Sequence, residues 1–375
     1  MIDPEAVLTG TDWAALQHAY TDAADLPERL AGLLSGDPDA AGPVLGVLDA
    51  AVLHQGSIYS ATAPTALYVA GILGDPRTLV PCESALPWDE RARPLRAALL
   101  DWLGNVAESA SWGEDPDDED EDEEPDEADE ADVAACRAIR RDLFQVVALY
   151  LDDADESVRT AAEGAAGHLL LAPDLAESRQ AVAERMLERV RQRPPHARAN
   201  TALTVARWSV APRELLADAE PAVRAYAALA PALDDEPAAL AVVREALLDP
   251  VTADGWFADH EMLLDGWLRF ALVQTLLRRT TTFTEIRDEA LAVARMTNAY
   301  TVDSDWGPLL RRAFPARHTP GTPLRPDQHA FLTALVENDE CWNGIANMII
   351  WFSRAGLPHG REELRTLLRS TTNGA

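Results

Sequence analysis

The chain has 375 residues, of which 47% are hydrophobic, and 63 acids against 32 bases give a formal net charge of −31. That apolar content supports a packed core and excludes a wholly disordered chain, and no run approaches the roughly 18 apolar residues of a membrane helix. All 32 bases are arginine, which excludes a Schiff-base lysine and a P-loop lysine, and so acidic a balance repels nucleic-acid phosphates.

The opening "MIDPEAVLTGTDW" carries early acids and no basic segment leading into an apolar core, so we expect no signal peptide and a cytoplasmic protein. Residues 44–53 form the first clear helical pattern, with Val44, Leu45, Val47, Leu48 and Val52 apolar. The stretch "LHQGSIYSATAPTALYV" (53–69) follows. His54 suits the C-terminal dipole, Gly56 a left-handed cap, Thr62 the N-cap of the next helix and Pro64 its first turn. Gln55, Ser57 and Tyr59 are left over. They are candidates for a partner-binding surface, with a catalytic pocket as the alternative.

From 114 to 132 the chain reads "EDPDDEDEDEEPDEADEAD", fifteen acids in 19 residues. Mutual repulsion, two prolines and the lack of apolar groups predict a solvated, disordered insertion. Its centre, Asp117, Asp118, Glu119, Asp120, Glu121, Asp122, Glu123 and Glu124, is a candidate tether for a basic partner. The alternatives are a purely solubilising role and weak divalent-cation binding. The rest of the chain still carries −16, from 48 acids and 32 bases.

Beyond the insertion nearly everything reads as short helices. Apolar residues recur at helical spacing in 157–170 (Val158, Ala161, Ala162, Ala165, Leu169), in 180–190 (Val182, Met186, Leu187, Val190) and in 264–276 (Leu264, Leu268, Ala271, Leu272, Leu276). Breaks are predicted at Gly36-Asp37-Pro38, Gly74-Asp75-Pro76, Pro173-Asp174, Pro194-Pro195, Glu220-Pro221, Glu236-Pro237 and Asp249-Pro250. The part after 255 holds Trp256, Trp267, Trp306, Trp342 and Trp351, half of the ten tryptophans, and a loop "PARHTPGTPLRP".

Motifs for chemistry are scarce. His260-Glu261 lacks the second histidine of a zincin, and there is no nucleophile elbow or dinucleotide fingerprint. Cys82, Cys136 and Cys341 are odd in number and far apart, arguing against a disulfide framework or a zinc site, and Cys341 reads as a buried thiol. Of the acids in "DSDWGPLL" (303–310), one is expected to cap the helix and the other to face solvent. We expect no catalytic, cofactor or metal residues.

Two segments resemble each other: "DDADESVRTAAEGAAGHL" (152–169) and "ADAEPAVRAYAALAPAL" (217–233). An acid-rich turn, then Val158-Arg159 or Val223-Arg224, then an alanine-rich helix resembles the second helix of HEAT repeats (the PBS-lyase/HEAT-like type). The resemblance implies that the acid caps the helix, the valine packs inward and the arginine bonds into the neighbouring turn. "WAALQHAYTDAADLPERLAGLL" with "LHQGSIYSATAPTAL", together covering about 12–105, is similar to the opening of a group of actinobacterial HEAT-repeat proteins with no assigned enzymatic activity.

The expected fold is therefore all-α, an α-solenoid of HEAT-like antiparallel helix pairs with an atypical helical C-terminal subdomain. Its parts are 1–113 (HEAT-like helices), 114–132 (the insertion), 133–254 (central repeats) and 255–375 (the Trp-rich subdomain). The expected function is a non-enzymatic protein-binding scaffold, an inhibitor or immunity-type protein for a basic partner, with no nucleic-acid or membrane partner. The rival is a nucleic-acid-modifying enzyme of the HEAT-like DNA glycosylase type, which the acidic charge disfavours and a cluster of arginines on one concave face revives.

Overall fold

Each of the seven predicted breaks becomes the start of a helix with proline as its first residue. The α-helices are Pro38–Val47, Pro195–Arg207, Pro221–Ala228, Pro237–Leu248 and Pro250–Gly255, and the 3-10 helices are Pro76–Leu79 and Pro173–Ser178. The missing N–H costs nothing at a position with no helical partner, and the fixed φ favours the first turn. Asp75 and Asp249 add caps, accepting from the N–H of Arg77 and Thr252.

A computed structural model describes residues 2–82, 92–112, 127–260, 262–264, 266–342 and 346–372. Among them are nineteen α-helices and one antiparallel ribbon, which pairs Pro81–Cys82 with Arg93–Pro94. No described helix is long and apolar enough to cross a membrane. The chain is all-α, and it clusters into two compact units, 1–182 and 183–375.

In unit 1–182 the central element is the helix Leu95–Ser109, which buries Leu95, Leu99, Leu100, Trp102, Leu103 and Val106. It packs on the helix Glu156–Leu169. The contact is close at Gly104, where a Cβ would lie 3.1 Å from Ala165 Cα. The helix Thr62–Ile72 is buried on most of its circumference and packs on Pro4–Gly10.

Unit 183–375 has one continuous core that includes Leu272, Leu276, Ile286, Leu309, Phe331, Leu335 and Phe352. Successive helices pack in turn: Pro195–Arg207 on Pro221–Ala228, that helix on Pro237–Leu248, and Pro237–Leu248 on Leu268–Arg279. Further along, Arg287–Met296 packs on Pro326–Glu337, and Trp306–Ala313 on Ala346–Ala355.

The two Val-Arg segments fold alike. Asp153 Oδ1 accepts from Asp155 N at 2.9 Å, and Asp218 Oδ1 from Glu220 N at 2.9 Å. Arg159 Nη1 donates to Asp153 O at 2.6 Å, and Arg224 Nη1 to Asp218 O at 2.9 Å. Val158 and Val223 are fully buried. The caps differ. Asp155 accepts from Ser157 and Val158 N–H, whereas Glu220 caps nothing. Asp218 instead holds Arg198 with two 2.9 Å bonds.

Three expectations shift. The helix predicted from 264 begins at Leu268, because Gly266 has a φ of +74° that no helix accommodates. The helix predicted at 44–53 is Pro38–Val47 followed by a π-helical turn, Leu48–Val52. The tail of the acidic run is helical, within Glu127–Ala138. Both prolines lie before it, and acids in a first turn complement the helix dipole.

Candidate functional site

The stretch 48–62 is a turn fastened at both ends. The π-turn closes with Leu53 N donating to Leu48 O at 2.9 Å. His54 Nδ1 lies 3.0 Å from Ala50 O and covers a helix-end carbonyl, as its position predicted. Gln55 (φ +53°) and Gly56 (φ +82°) then take successive left-handed conformations, the first at a cost because glutamine carries a Cβ.

Thr62 is not an N-cap. The helix Thr62–Ile72 has Ala61 at that position, with no side-chain cap. The Thr62 hydroxyl accepts from Tyr59 N at 3.0 Å and donates to Val52 O at 2.7 Å, which pins the turn to the π-helix. Ser60 Oγ accepts from Gln17 N at 2.8 Å, and Ala19 N donates to Ala51 O at 2.9 Å. Of the candidate residues, Gln55 and Ser57 are exposed and Tyr59 is half-buried. Among the described residues none of the three side chains has a hydrogen-bond partner. They are presented by a rigid turn and are not consumed by it. Asp117, Asp118, Glu119, Asp120, Glu121, Asp122, Glu123 and Glu124 lie outside the described residues.

One exposed aromatic residue missed by sequence reasoning meets this turn, and a second follows the helix Leu95–Ser109, which packs against it. Tyr20, 68% exposed, sets its ring edge-on to His54 with centroids 5.7 Å apart. Trp112 is 77% exposed. It follows Ser109, whose hydroxyl is 3.6 Å from where a Cβ on Gly56 would sit. Its backbone is clamped: Arg137 donates to Trp112 O at 2.8 Å and to Ala110 O at 2.7 Å, and Arg140 adds a 2.8 Å bond to Ala110 O. A large indole left in water on a held backbone has the composition of an interface anchor. The only sequence signal was its place just before the acidic run.

On the same π-turn, Asp49 is half-buried and has no hydrogen bond among the described residues. Burial pushes its carboxyl up to about 6, against the pull of Arg93, which is itself paired with Asp101. A folded value above the unfolded one of about 3.9 gives stability that is complete below pH 4 and lost as pH rises through 6. Asp49→Asn is therefore expected to raise the melting temperature at pH 7.5 and to raise it much less at pH 4.5. A gain at pH 4.5 that vanishes at pH 7.5 would contradict the assignment.

In unit 183–375 the polar centre is Arg269, 0% exposed. It pairs with Asp254, and its Nε lies 3.1 Å from Asp305 Oδ2. Its guanidinium sits 4.1 Å from the Trp267 ring centroid. Burial raises both carboxyls, with Arg269 pulling the other way. Asp305 also caps Trp306 N and accepts from Thr297 Oγ1, each at 2.6 Å. Of the two acids of "DSDWGPLL", Asp305 is thus the cap and Asp303 is the exposed one, as expected, and Asp303 also accepts from Trp351 Nε1 and Asn347 Nδ2, each at 2.6 Å. All three cysteines are buried and free, and burial pushes the Cys341 thiol up to about 12, the inert thiol expected. His260 stacks on His196 with centroids 4.1 Å apart, while Glu261 lies outside the described residues.

The same unit contains a cleft of about 840 Å³ lined by Leu277, Thr281, Thr282, Phe283, Thr284, Pro308, Arg311, Arg312, Pro315, Arg325 and Trp351. Three arginines thus meet at one concavity of a strongly acidic chain. The chain matches no family model, no curated protein and no solved structure.

Proposed function

We propose that the chain is a non-enzymatic protein-binding scaffold of HEAT-like helix pairs that acts in the cytoplasm as an inhibitor- or immunity-type protein for a basic partner. The observation that carries this reading is a pair of exposed aromatics: Tyr20, edge-on to His54 of the turn bearing Gln55 and Ser57, and Trp112, three residues beyond the Ser109 that lies against that turn at Gly56. Aromatic anchors supply contact area at low entropic cost. The acidic run starts two residues after Trp112 in the sequence. Fifteen carboxylates in the run that follows Trp112 in the sequence favour a partner rich in lysine and arginine, because complementary charge speeds encounter and excludes acidic competitors.

The HEAT-like part of the proposal draws support from the two Val-Arg turns, whose valine, arginine and aspartate make equivalent contacts 65 positions apart. The all-helical architecture is also the kind of element content that such repeats need.

The test is affinity capture on the immobilised full chain at low salt, with the captured protein identified and its affinity then measured in pure form. A basic protein is expected, released on the order of 0.5 M salt. Tyr20→Ala with Trp112→Ala is expected to weaken it at least ~30-fold, as two anchor truncations do. Replacing 114–126 with Gly/Ser is expected to slow association and flatten the salt dependence. A captured protein indifferent to both changes, or the capture of nothing at low salt, removes the proposal.

A further inference from the structure

The arginine-lined cleft shares no residue with the partner surface of unit 1–182, so its ligand stands or falls separately from the reading above. Among the described residues no carboxylate lines it, although the chain has about twice as many acids as bases. Arg311 is exposed at its rim and has no hydrogen bond or ion pair among the described residues. Arg312 spends its Nη groups on main-chain oxygens, those of Thr280 and of Leu277 (2.7 Å), which fix the guanidinium without neutralising it. Only Arg325 meets a carboxylate, Asp327, at 3.2 Å. Glu285 accepts from Thr281 N and Thr282 N, at 3.0 and 3.2 Å, so the threonine edge of the cleft is held in place before any ligand arrives.

The remaining wall is apolar. Trp351 forms part of it, anchored through Nε1 to Asp303, and Gly307 lets the helix Trp306–Ala313 close against that indole. Apolar walls with a few convergent polar groups in about 840 Å³ are the make-up of a small-molecule site. Guanidinium groups match planar or tetrahedral oxyanions, and two of them without carboxylate partners favour a doubly charged head over a singly charged one.

We propose that this cleft binds a small phosphate monoester carrying a flat apolar ring, with the phosphate on Arg311 and Arg312 and the ring against Trp351. A phosphate there recovers charge compensation that the protein itself withholds. A cleft of about 840 Å³ has the size of a small-molecule site, which favours a monoester over a polymer.

The experiment is calorimetric titration of the full chain with phenyl phosphate, inorganic phosphate, benzoate and a short single-stranded oligonucleotide. Phenyl phosphate is expected to bind saturably and more tightly than inorganic phosphate or benzoate. Arg311→Gln is expected to weaken it at least ~10-fold, the usual loss of a charge-assisted pair. It should leave the unfolding midpoint unchanged, because Arg311 touches no described partner. Trp351→Ala is expected to weaken phenyl phosphate but not inorganic phosphate. Arg29→Gln, in the other unit, serves as the control and is expected to bind as the parent chain does. No saturable binding, or equal binding by Arg311→Gln, overturns the site. Benzoate equal to phenyl phosphate overturns the choice of phosphate, and an oligonucleotide tighter than phenyl phosphate overturns the small-molecule class.

Discussion

Arg269→Met is expected to destabilise the chain by about 3–5 kcal/mol, the usual cost of leaving buried charge unpaired. Arg269 is 0% exposed and serves two acids at once, Asp254 and Asp305, while its backbone N–H donates to Asp254 Oδ1 at 2.9 Å. Methionine fills much of the volume but strands both carboxylates in the core. The measurement is denaturant unfolding of the full chain followed by tryptophan fluorescence. A signature separates stranded charge from lost packing: Arg269→Met combined with Asp254→Asn and Asp305→Asn should be more stable than Arg269→Met alone. Asparagine keeps an oxygen for Trp306 N while removing the charge, and its amide NH2 can donate to Thr297 Oγ1, a hydroxyl that also accepts. If the triple variant is the less stable, packing and not electrostatics sets the cost.

The pH dependence has a definite sign. Burial already holds both carboxyls above the usual range, and Arg269 opposes it. Raised folded values mean that these groups favour the folded state most below about pH 4, and that this contribution fades as pH rises through the raised values. Removing the arginine raises them further. The loss caused by Arg269→Met should therefore be largest near pH 7 and shrink toward pH 4.5. A loss that grows on acidification would refute the account.

Helix starts were legible in the sequence because proline and its preceding acid act locally; Asp249-Pro250 needs no distant partner to begin a helix. The apolar spacing of Val158, Ala161, Ala162, Ala165 and Leu169 likewise gave the buried face directly. What periodicity could not weigh was a single backbone conformation. Leu264 fits the apolar pattern, but Gly266 at φ +74° breaks the helix before it. Thr62 looked like a cap because its partner, Val52 O, lies ten residues back across a turn whose path the sequence did not show. The Arg269 centre draws on residues 254, 269 and 305, and the arginine cleft on residues 277 to 351, each from several separate elements. No local motif joins them. Tyr20 and Trp112 were hidden for the opposite reason. An aromatic residue in a helical chain is expected in the core, and only the fold shows that these two are left outside.

Gly307→Ala is expected to cost about 3 kcal/mol, the upper end for forcing atoms into a packed site. The opposing effect is small, since alanine gains only ~0.5–1 kcal/mol over glycine in a helix. A Cβ at 307 would press on Val302 O and come within 2.7 Å of the Trp351 ring. Neither neighbour is free to retreat. Val302 O accepts from Gly307 N at 2.8 Å, and Trp351 is tied to Asp303. Trp351→Ala relieves one of the two clashes, so it should cost less in the Gly307→Ala background than in the parent chain, a coupling that a double-mutant cycle reads. Gly164→Ala is the counter-case. It lies in the helix Glu156–Leu169 with nothing within 4 Å of an added Cβ, so propensity wins and stability should rise by ~0.5–1 kcal/mol. If Gly307→Ala is neutral while Gly164→Ala stabilises, the helix Trp306–Ala313 does not close on Trp351 as described, and the apolar wall of the arginine cleft loses its support.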